Sequence, residues 1–180
     1  MKPLQATGCG LLLILLNVTL GGFDLLPDLI GWALVLLGVV AMRARLPTAT
    51  PVLAAAATAG VVSVPLWLPG VAESVADADP ALAWALSLPQ VVFAVLFFRA
   101  LEQLAQDAGN HDAAGWLRIC WVGAVIVGVL PAVLLPFAAS GPLVGLAGVF
   151  SLLVGVLQVV LCFAYAGRSW ARRAGAPATR

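Results

Sequence analysis

Two aspartates four residues apart, Asp24 and Asp28, are the first residues in the chain whose type and spacing suit a chemical role. Residues i and i+4 share a helical face, so a helix that begins at Asp24 would present both carboxylates together. Hard cations prefer oxygen ligands, which makes the pair a candidate cation site. The alternative is that both acids cap the helix and interact with the positive end of its dipole. Only two ligands are visible, which favours capping.

Three amide side chains lie inside long apolar stretches: Asn17, Gln90 and Gln158. In lipid, such groups form hydrogen bonds between helices, worth about 0.6 kcal/mol on average, or they line a polar path. Gln90 and Gln158 each begin a Gln-Val-Val triplet, which hints at repeated hairpins. Helix registration is the simpler role for these amides. Together with the two aspartates, they are the candidate ligand-binding residues of the chain.

Catalytic chemistry finds little support in the sequence. His111 is the only histidine, and the three cysteines form no C-x-x-C pair. The chain contains no G-x-S-x-G, no H-E-x-x-H and no phosphate-binding loop. No ionisable side chain is predicted at mid-depth in a membrane span, which argues against a proton-coupled pump. We therefore expect no catalytic residues, no metal and no cofactor.

The last apolar stretch carries small residues at spacings of three and four, which place them on one helical face. Small residues allow a second helix to approach closely in a membrane, where no hydrophobic effect drives association. We expect this face to pack against protein, either within the bundle or between copies of the chain. Its members are Gly141, Gly145, Gly148, Ser151 and Gly155.

The elements that carry these residues must be membrane helices. Of the 180 residues, 63% are hydrophobic and 9% are charged, whereas soluble domains have ~25% charged residues. A helix needs about 20 apolar residues to cross the hydrocarbon core, so six crossings leave room only for short loops. We predict an all-α membrane protein with one transmembrane domain, residues 1–180, and six helices arranged as three hairpins. The predicted spans are about 4–20, 27–44, 51–68, 80–101, 115–137 and 142–167.

Cap and proline signals set several of these boundaries. Thr50-Pro51 is expected to begin the third helix, and Asp79-Pro80 the fourth, after an acidic loop at 71–79. The fourth helix runs beyond the bilayer core. Its last turns, with Arg99 and Glu102, are expected to project into water, where these two side chains pair weakly.

The arginines and the single lysine predict the orientation. In a six-span arrangement all nine basic residues lie on one side, and the loops of the other side receive only acidic ones. The positive-inside rule then places both termini in the cytoplasm. Arginine-rich, alanine-rich composition is typical of GC-rich bacterial genomes, so we expect a multi-pass protein of the bacterial cytoplasmic (inner) membrane.

Residues 24–32 read Asp-Leu-Leu-Pro-Asp-Leu-Ile-Gly-Trp and are followed by an apolar run. This segment resembles the start of uncharacterised small bacterial integral membrane proteins, in which an N-terminal D-x-L-P-D-x-I-G element joins two helices. The resemblance covers about the first 45 residues. It implies a membrane hairpin architecture and supplies no activity.

Two functions follow as expectations. The first is a structural or accessory role in the membrane, because no reacting constellation is visible. The alternative is a small transporter or channel for a neutral or cationic solute, acting as an oligomer, with helices broken at Pro65, Pro89 and Pro131. The expected partners are the lipid bilayer and either further copies of the chain or a membrane partner protein, with no nucleic acid.

Overall fold

The computed structural model describes residues 2–16, 19–20, 23–24, 28–68, 70–134 and 141–171, and this part of the chain is almost entirely helical. A two-residue antiparallel ladder, in which Thr19 pairs with Asp24 and Leu20 with Phe23, lies between the first two helices. A short 3-10 helix, Ser169–Ala171, follows the last α-helix. In chain order the elements are α1 (Pro3–Leu15), β1 (Thr19–Leu20), β2 (Phe23–Asp24), α2 (Asp28–Met42), α3 (Ala49–Leu66), α4 (Val71–Ala78), α5 (Pro80–Asp107), α6 (His111–Leu134) and α7 (Gly141–Tyr165).

Local caps explain where α5 begins and where α6 follows it. The Asp79 carboxylate accepts a hydrogen bond from the Ala81 N–H at 2.8 Å, and Pro80 occupies the first helical turn, as predicted. After α5, Gly109 adopts a positive φ of 71°, a conformation that favours glycine. The Asn110 side chain then accepts a hydrogen bond from the Ala113 N–H at the start of α6.

The long helices form a closed ring. Helices α1, α2, α3, α5, α6 and α7 each pack against the next in this order, and α7 packs back against α1. The short helix α4 lies against α5 and α3. Ring closure depends on glycines, because a Cβ at Gly155 would lie 2.9 Å from Leu15 Cδ1 and one at Gly8 would lie 3.0 Å from Cys162 Cβ.

Four of the six predicted spans are long and apolar enough to cross a membrane: Ala49–Leu66, Pro80–Asp107, His111–Val133 and Gly145–Tyr165. The first two predicted spans correspond to α1 and α2, with 13 and 15 residues. At 1.5 Å per residue these helices measure only about 20 and 22 Å, against about 30 Å of hydrocarbon. The prediction of six full-length spans is therefore wrong for these two helices, because the apolar composition continues past the residues that are helical.

Three local predictions also need correction. The acidic segment after Gly70 contains the helix α4 and is not simply a loop. Helix α3 begins at Ala49, and Thr48, its N-cap, makes no side-chain cap. The helices are not broken at the prolines: Pro65 lies in the last turn of α3, and α5 and α6 continue through Pro89 and Pro131. A proline removes one backbone donor, a loss that packing against neighbouring helices can compensate.

Helices α1 and α2 approach each other at backbone distance. A Cβ at Gly31 would lie 2.6 Å from Ile14 Cγ1 and 2.8 Å from the Gly10 carbonyl oxygen. A Cβ at Gly38 would overlap the Thr7 hydroxyl and lie 2.7 Å from the Pro3 carbonyl oxygen. Such contact requires glycine at both positions of α2, which are seven residues apart and so share a face.

The middle of the ring is filled by aromatic rings. Trp32 of α2 meets Phe93 edge-to-face, and Phe93 stacks on Phe97, with centroids 5.4 Å apart in both pairs. Phe97 in turn meets Phe98 at 5.4 Å. The three phenylalanines are fully buried. They lie along α5 between Gln90 and Arg99, so this length of the ring interior is closed.

Candidate binding cavities between the helices

A cavity of about 240 Å³ lies between α1, α5, α6 and α7, and both predicted glutamines line it. We call it the glutamine cavity. Gln90 enters it from α5, and Gln158 and Ser151 enter from α7. The remaining walls are small or aliphatic: Leu15, Val91, Ala94, Ala124, Val127, Leu152, Val154 and Gly155. The cavity therefore combines an apolar surface with a few polar groups, as small-molecule sites usually do.

Gln158 is the most informative residue of this cavity. It is only 9% exposed, yet its amide has no side-chain hydrogen-bond partner among the residues that the structure describes. Its amide atoms are not fully enclosed, because among the described residues the one fully buried side-chain nitrogen or oxygen without a partner is Trp170 Nε1. The Ser151 hydroxyl does not bond to the amide, because it donates to the Ala147 carbonyl oxygen at 2.9 Å. A bound molecule with hydrogen-bonding groups would satisfy the Gln158 amide.

A second cavity of about 220 Å³ lies between α2, α3, α4 and α5, and we call it the Asp28 cavity. Among the described residues that line it, Asp28 is the one with a charge. Ser63, Ser87 and Gln90 add uncharged polar groups, and Gln90 borders both cavities. The apolar part of the wall consists of Trp32, Ala59, Val62, Leu66, Val75, Ala83 and Leu86.

Asp24 and Asp28 are not presented together on one helix. Helix α2 begins at Asp28, and Asp24 belongs to β2, so the condition for a shared helical face is not met. Nothing is described of the Asp24 side chain, and Asn17 lies outside the described residues. Of the five predicted candidates, the structure therefore brings together Gln90 with Gln158 in one cavity, and Gln90 with Asp28 in the other.

A charged cluster that the sequence did not reveal joins α5 to α6. Glu102 is 5% exposed and does not project into water, and its partner is Arg118, not Arg99. One Glu102 oxygen accepts from Arg118 Nε at 2.8 Å and from Gln106 Nε2 at 2.9 Å, and the same oxygen forms an ion pair with Arg118 Nη2 at 2.7 Å. The other accepts from Trp121 Nε1 at 2.6 Å. We call this arrangement the Glu102 cluster.

Neighbouring groups complete this end of the bundle. Arg99 lies over the Trp121 ring, 6.0 Å from its centroid, a cation–π geometry. An open hollow of about 360 Å³ beside the cluster is lined by Gln106, His111, Ala114, Gly115 and Arg118. His111 is exposed, and the described residues that line the hollow include no nucleophile and no acid. The described residues hold no group of three or more potential metal ligands.

The glycine-rich face of α7 divides into two parts. Gly155 packs against Leu15, as expected for a helix-packing face. A Cβ at Gly145 or Gly148 would meet no atom of the described residues within 4 Å, so the described part of the bundle does not pack against these two positions. Ser151 lines the glutamine cavity. Packing between copies of the chain stays a prediction, as does any role for Gly141, whose surroundings are not described.

The chain was compared with protein-family models, with curated proteins and with solved structures, and none of them matches it. The geometry of the cavities and of the Glu102 cluster is therefore the basis for assigning a function.

Proposed function

We propose that this chain binds a small solute, neutral or cationic, inside its helix bundle, as a small transporter or channel of the bacterial cytoplasmic membrane does. One observation carries the proposal: the Gln158 side chain, on a residue only 9% exposed, lines a cavity and forms no hydrogen bond with the described residues. For helix registration alone, the amide would be expected to bond to a neighbouring helix.

The cavity's position supports the same proposal. Four helices contribute to it, and small-molecule sites in helical bundles are built from side chains on facing helices. Its volume, about 240 Å³, is just below the ~300–1,000 Å³ of pockets for drug-sized ligands. The solute is therefore small, with one or two hydrogen-bonding groups on an otherwise apolar body.

In this proposal the chain forms three hairpins, of which α3, α5, α6 and α7 cross the bilayer fully, and both termini lie in the cytoplasm. The positions of two basic residues, Lys2 and Arg45, support this topology. Arg45 Nη1 donates to the Ser169 carbonyl oxygen at 2.8 Å, and Lys2 Nζ would lie 3.8 Å from a Cβ at Gly167. Lys2, Arg45 and the residues that follow α7 thus lie at one end of the bundle. Because α1 and α2 form a hairpin, both termini lie on the same side of the membrane whether that hairpin crosses all or only part of the bilayer.

A structural or accessory role is the second candidate function, and the aromatic core favours it. Phe93, Phe97 and Phe98 are fully buried and close the ring interior beyond Gln90. Passage of a solute requires these rings to move, whereas a purely structural protein needs no such motion. In this role the chain associates with a membrane partner protein or with further copies of itself.

Native mass spectrometry of protein released gently from its own membrane separates these candidates. We expect a small-molecule adduct on the wild type that is lost in Gln158→Leu, which removes the amide. Gln103→Leu is the matched control, because Gln103 lies on α5 and lines neither cavity. The same spectra report the number of copies and any bound protein.

The outcomes are distinct. An adduct that persists in Gln158→Leu, or a wild type without any adduct, contradicts solute binding at the glutamine cavity. A second polypeptide bound in place of a small molecule supports the accessory role.

A further inference from the structure

The polar side chains of the glutamine cavity come from two helices and offer both hydrogen-bond donors and acceptors. Gln158 of α7 and Gln90 of α5 each end in a carboxamide, which has two N–H donors and a carbonyl acceptor. The Ser151 hydroxyl donates its one proton to the Ala147 carbonyl oxygen, so its oxygen adds acceptor capacity only. Gln158 is 9% exposed and its amide forms no hydrogen bond with the described residues, so a molecule in the cavity is the partner available to it.

The described wall of this cavity carries no charge. None of the described residues that line it is acidic or basic. A charged group that entered the cavity would lose its water and meet no counter-charge there, which is strongly unfavourable. The lining therefore favours a neutral solute over a cationic one.

Hydrogen-bond complementarity narrows the class of neutral solute. A ketone, an ether or a nitrile only accepts, so it would leave the carbonyl oxygens of both glutamine amides without a donor. A hydroxyl has a single proton, so it donates to one of these oxygens at a time. A primary carboxamide has two N–H donors beside a carbonyl oxygen. It can therefore bond to the Gln158 amide in both directions and keep one N–H for the Gln90 oxygen.

We propose that the glutamine cavity binds a neutral solute that carries a primary carboxamide on a short aliphatic chain. The inference names the class of solute and rests on the proposed function, because it concerns the same cavity. Gln158 forms a reciprocal pair with the carboxamide, and the Gln90 oxygen accepts the remaining N–H. The chain contacts the aliphatic wall, and a volume of about 240 Å³ limits it to a few carbons.

Saturation-transfer NMR of the full chain in lipid nanodiscs, with empty nanodiscs as the blank, tests the proposal with n-butyramide. We expect saturable binding to the wild type. The matched ligand is 2-pentanone, which has the shape of butyramide with a methyl group in place of the NH₂. It should bind about fivefold or more weakly, because it has no donor. n-Butylammonium should bind about tenfold or more weakly, because it brings a charge and no acceptor.

Two variants of the chain test the assigned partners. Gln158→Leu should weaken butyramide binding about fivefold or more, because both bonds of the reciprocal pair are lost. The ratio of butyramide to 2-pentanone affinity should also fall, which a merely structural change would not cause. Gln90→Leu should weaken butyramide binding about twofold or more by removing one acceptor. Gln103→Leu is the matched control and should bind as the wild type does, because Gln103 lies on α5 outside the lining.

Several results would overturn the proposal. One is equal binding of 2-pentanone, or of butylammonium, to the wild type. Another is unchanged butyramide binding in Gln158→Leu or in Gln90→Leu, and a third is equal weakening of butyramide and 2-pentanone in Gln158→Leu. If Gln158→Leu does not fold, Gln90→Leu and the wild-type ligand series still decide.

The two proposals can fail separately. If the native adduct depends on Gln158 but butyramide binds no better than 2-pentanone, the carboxamide class fails and the solute-binding function stands. If the wild type carries no native adduct but binds butyramide through Gln158, the solute-binding function fails and the carboxamide specificity of the cavity stands.

Discussion

Glu102 shows how one buried charge can organise the end of a membrane helix. Its two oxygens accept three hydrogen bonds, from Arg118, Gln106 and Trp121, and one of them also forms an ion pair with Arg118. An isolated carboxylate would pay a large desolvation cost at this depth of burial, and these donors offset it. The cluster joins α5 to α6 through directional bonds, which apolar packing alone does not provide.

Removing the carboxylate should therefore destabilise the fold. Glu102→Ala leaves the Trp121 indole N–H and the Arg118 guanidinium without their partner, so we expect a loss of about 1–3 kcal/mol in the free energy of unfolding. The loss stays below that of a fully buried pair because the Arg118 side chain is 62% exposed. Denaturant unfolding in detergent micelles measures it.

Asp107→Asn on the same helix is the control, because Asp107 is exposed and the expected change there is within about 0.5 kcal/mol. Glu102→Gln should fall between the two, since its amide oxygen can still accept from Trp121. Equal stability of Glu102→Ala and the wild type would show that the cluster contributes nothing.

The position of Glu102 could have been recognised in the sequence by its neighbours. Phe98, Leu101, Glu102 and Ala105 recur at spacings of three and four and share the buried face of α5. The pairing of Glu102 with Arg118 could not have been recognised in the sequence, because it depends on how α6 is rotated against α5. Gln90 and Gln158 were recognisable as polar groups within spans, but their common cavity results from the ring order of the helices.

At the level of elements, glycines decide how closely helices approach. Gly31 and Gly38 allow α2 to contact the backbone of α1, and Gly128 allows α6 to approach Val91 of α5, which a Cβ would meet at 2.7 Å. The sequence pointed to α7 as the glycine-packed helix. Two of its glycines face open space, because spacing identifies a face of small residues and does not identify what lies opposite.

Gly31→Ala should lower the free energy of unfolding by about 1–3 kcal/mol, because the added methyl group meets Ile14 and the Gly10 carbonyl oxygen. Gly148→Ala is the matched control, since nothing lies within 4 Å of its Cβ position and alanine favours a helix by about 1 kcal/mol over glycine. It should be neutral or stabilising. Thermal unfolding in one detergent, read by circular dichroism, compares them; a more stable Gly31→Ala would contradict the close contact of α1 and α2.

For the whole molecule, composition predicted the all-helical class correctly, and four of the described helices are long and apolar enough to cross a membrane. The number of full-length spans was overestimated, since apolar residues in turns and ladders look like apolar residues in helices. Ring order was not predictable, because it is set by side-chain contacts between distant segments such as Gly8 and Cys162.

The orientation of the bundle stays a prediction that reporter fusions can test. A reporter active only in the periplasm should work when fused after Glu73 and stay inactive when fused after Arg173, because the positive-inside rule retains the basic end in the cytoplasm. A cytoplasmic reporter fused at the same two sites is the control and should give the reverse pattern. Periplasmic activity after Arg173 would exclude the topology with both termini in the cytoplasm.

The contact between α7 and α1 has a consequence for biosynthesis. Of the described α-helices, α7 is made last, and it supplies Gly155 and Cys162, on which Leu15 and Gly8 of α1 pack. Until α7 is made, that side of α1 has only lipid or another protein to cover it, and the neighbouring polar group Gln90 faces an incomplete wall. During synthesis, one side of α1 therefore has no packing partner within the chain. A copy truncated before α7 keeps that surface exposed, and exposed surface of this kind is what membrane chaperones and proteases recognise.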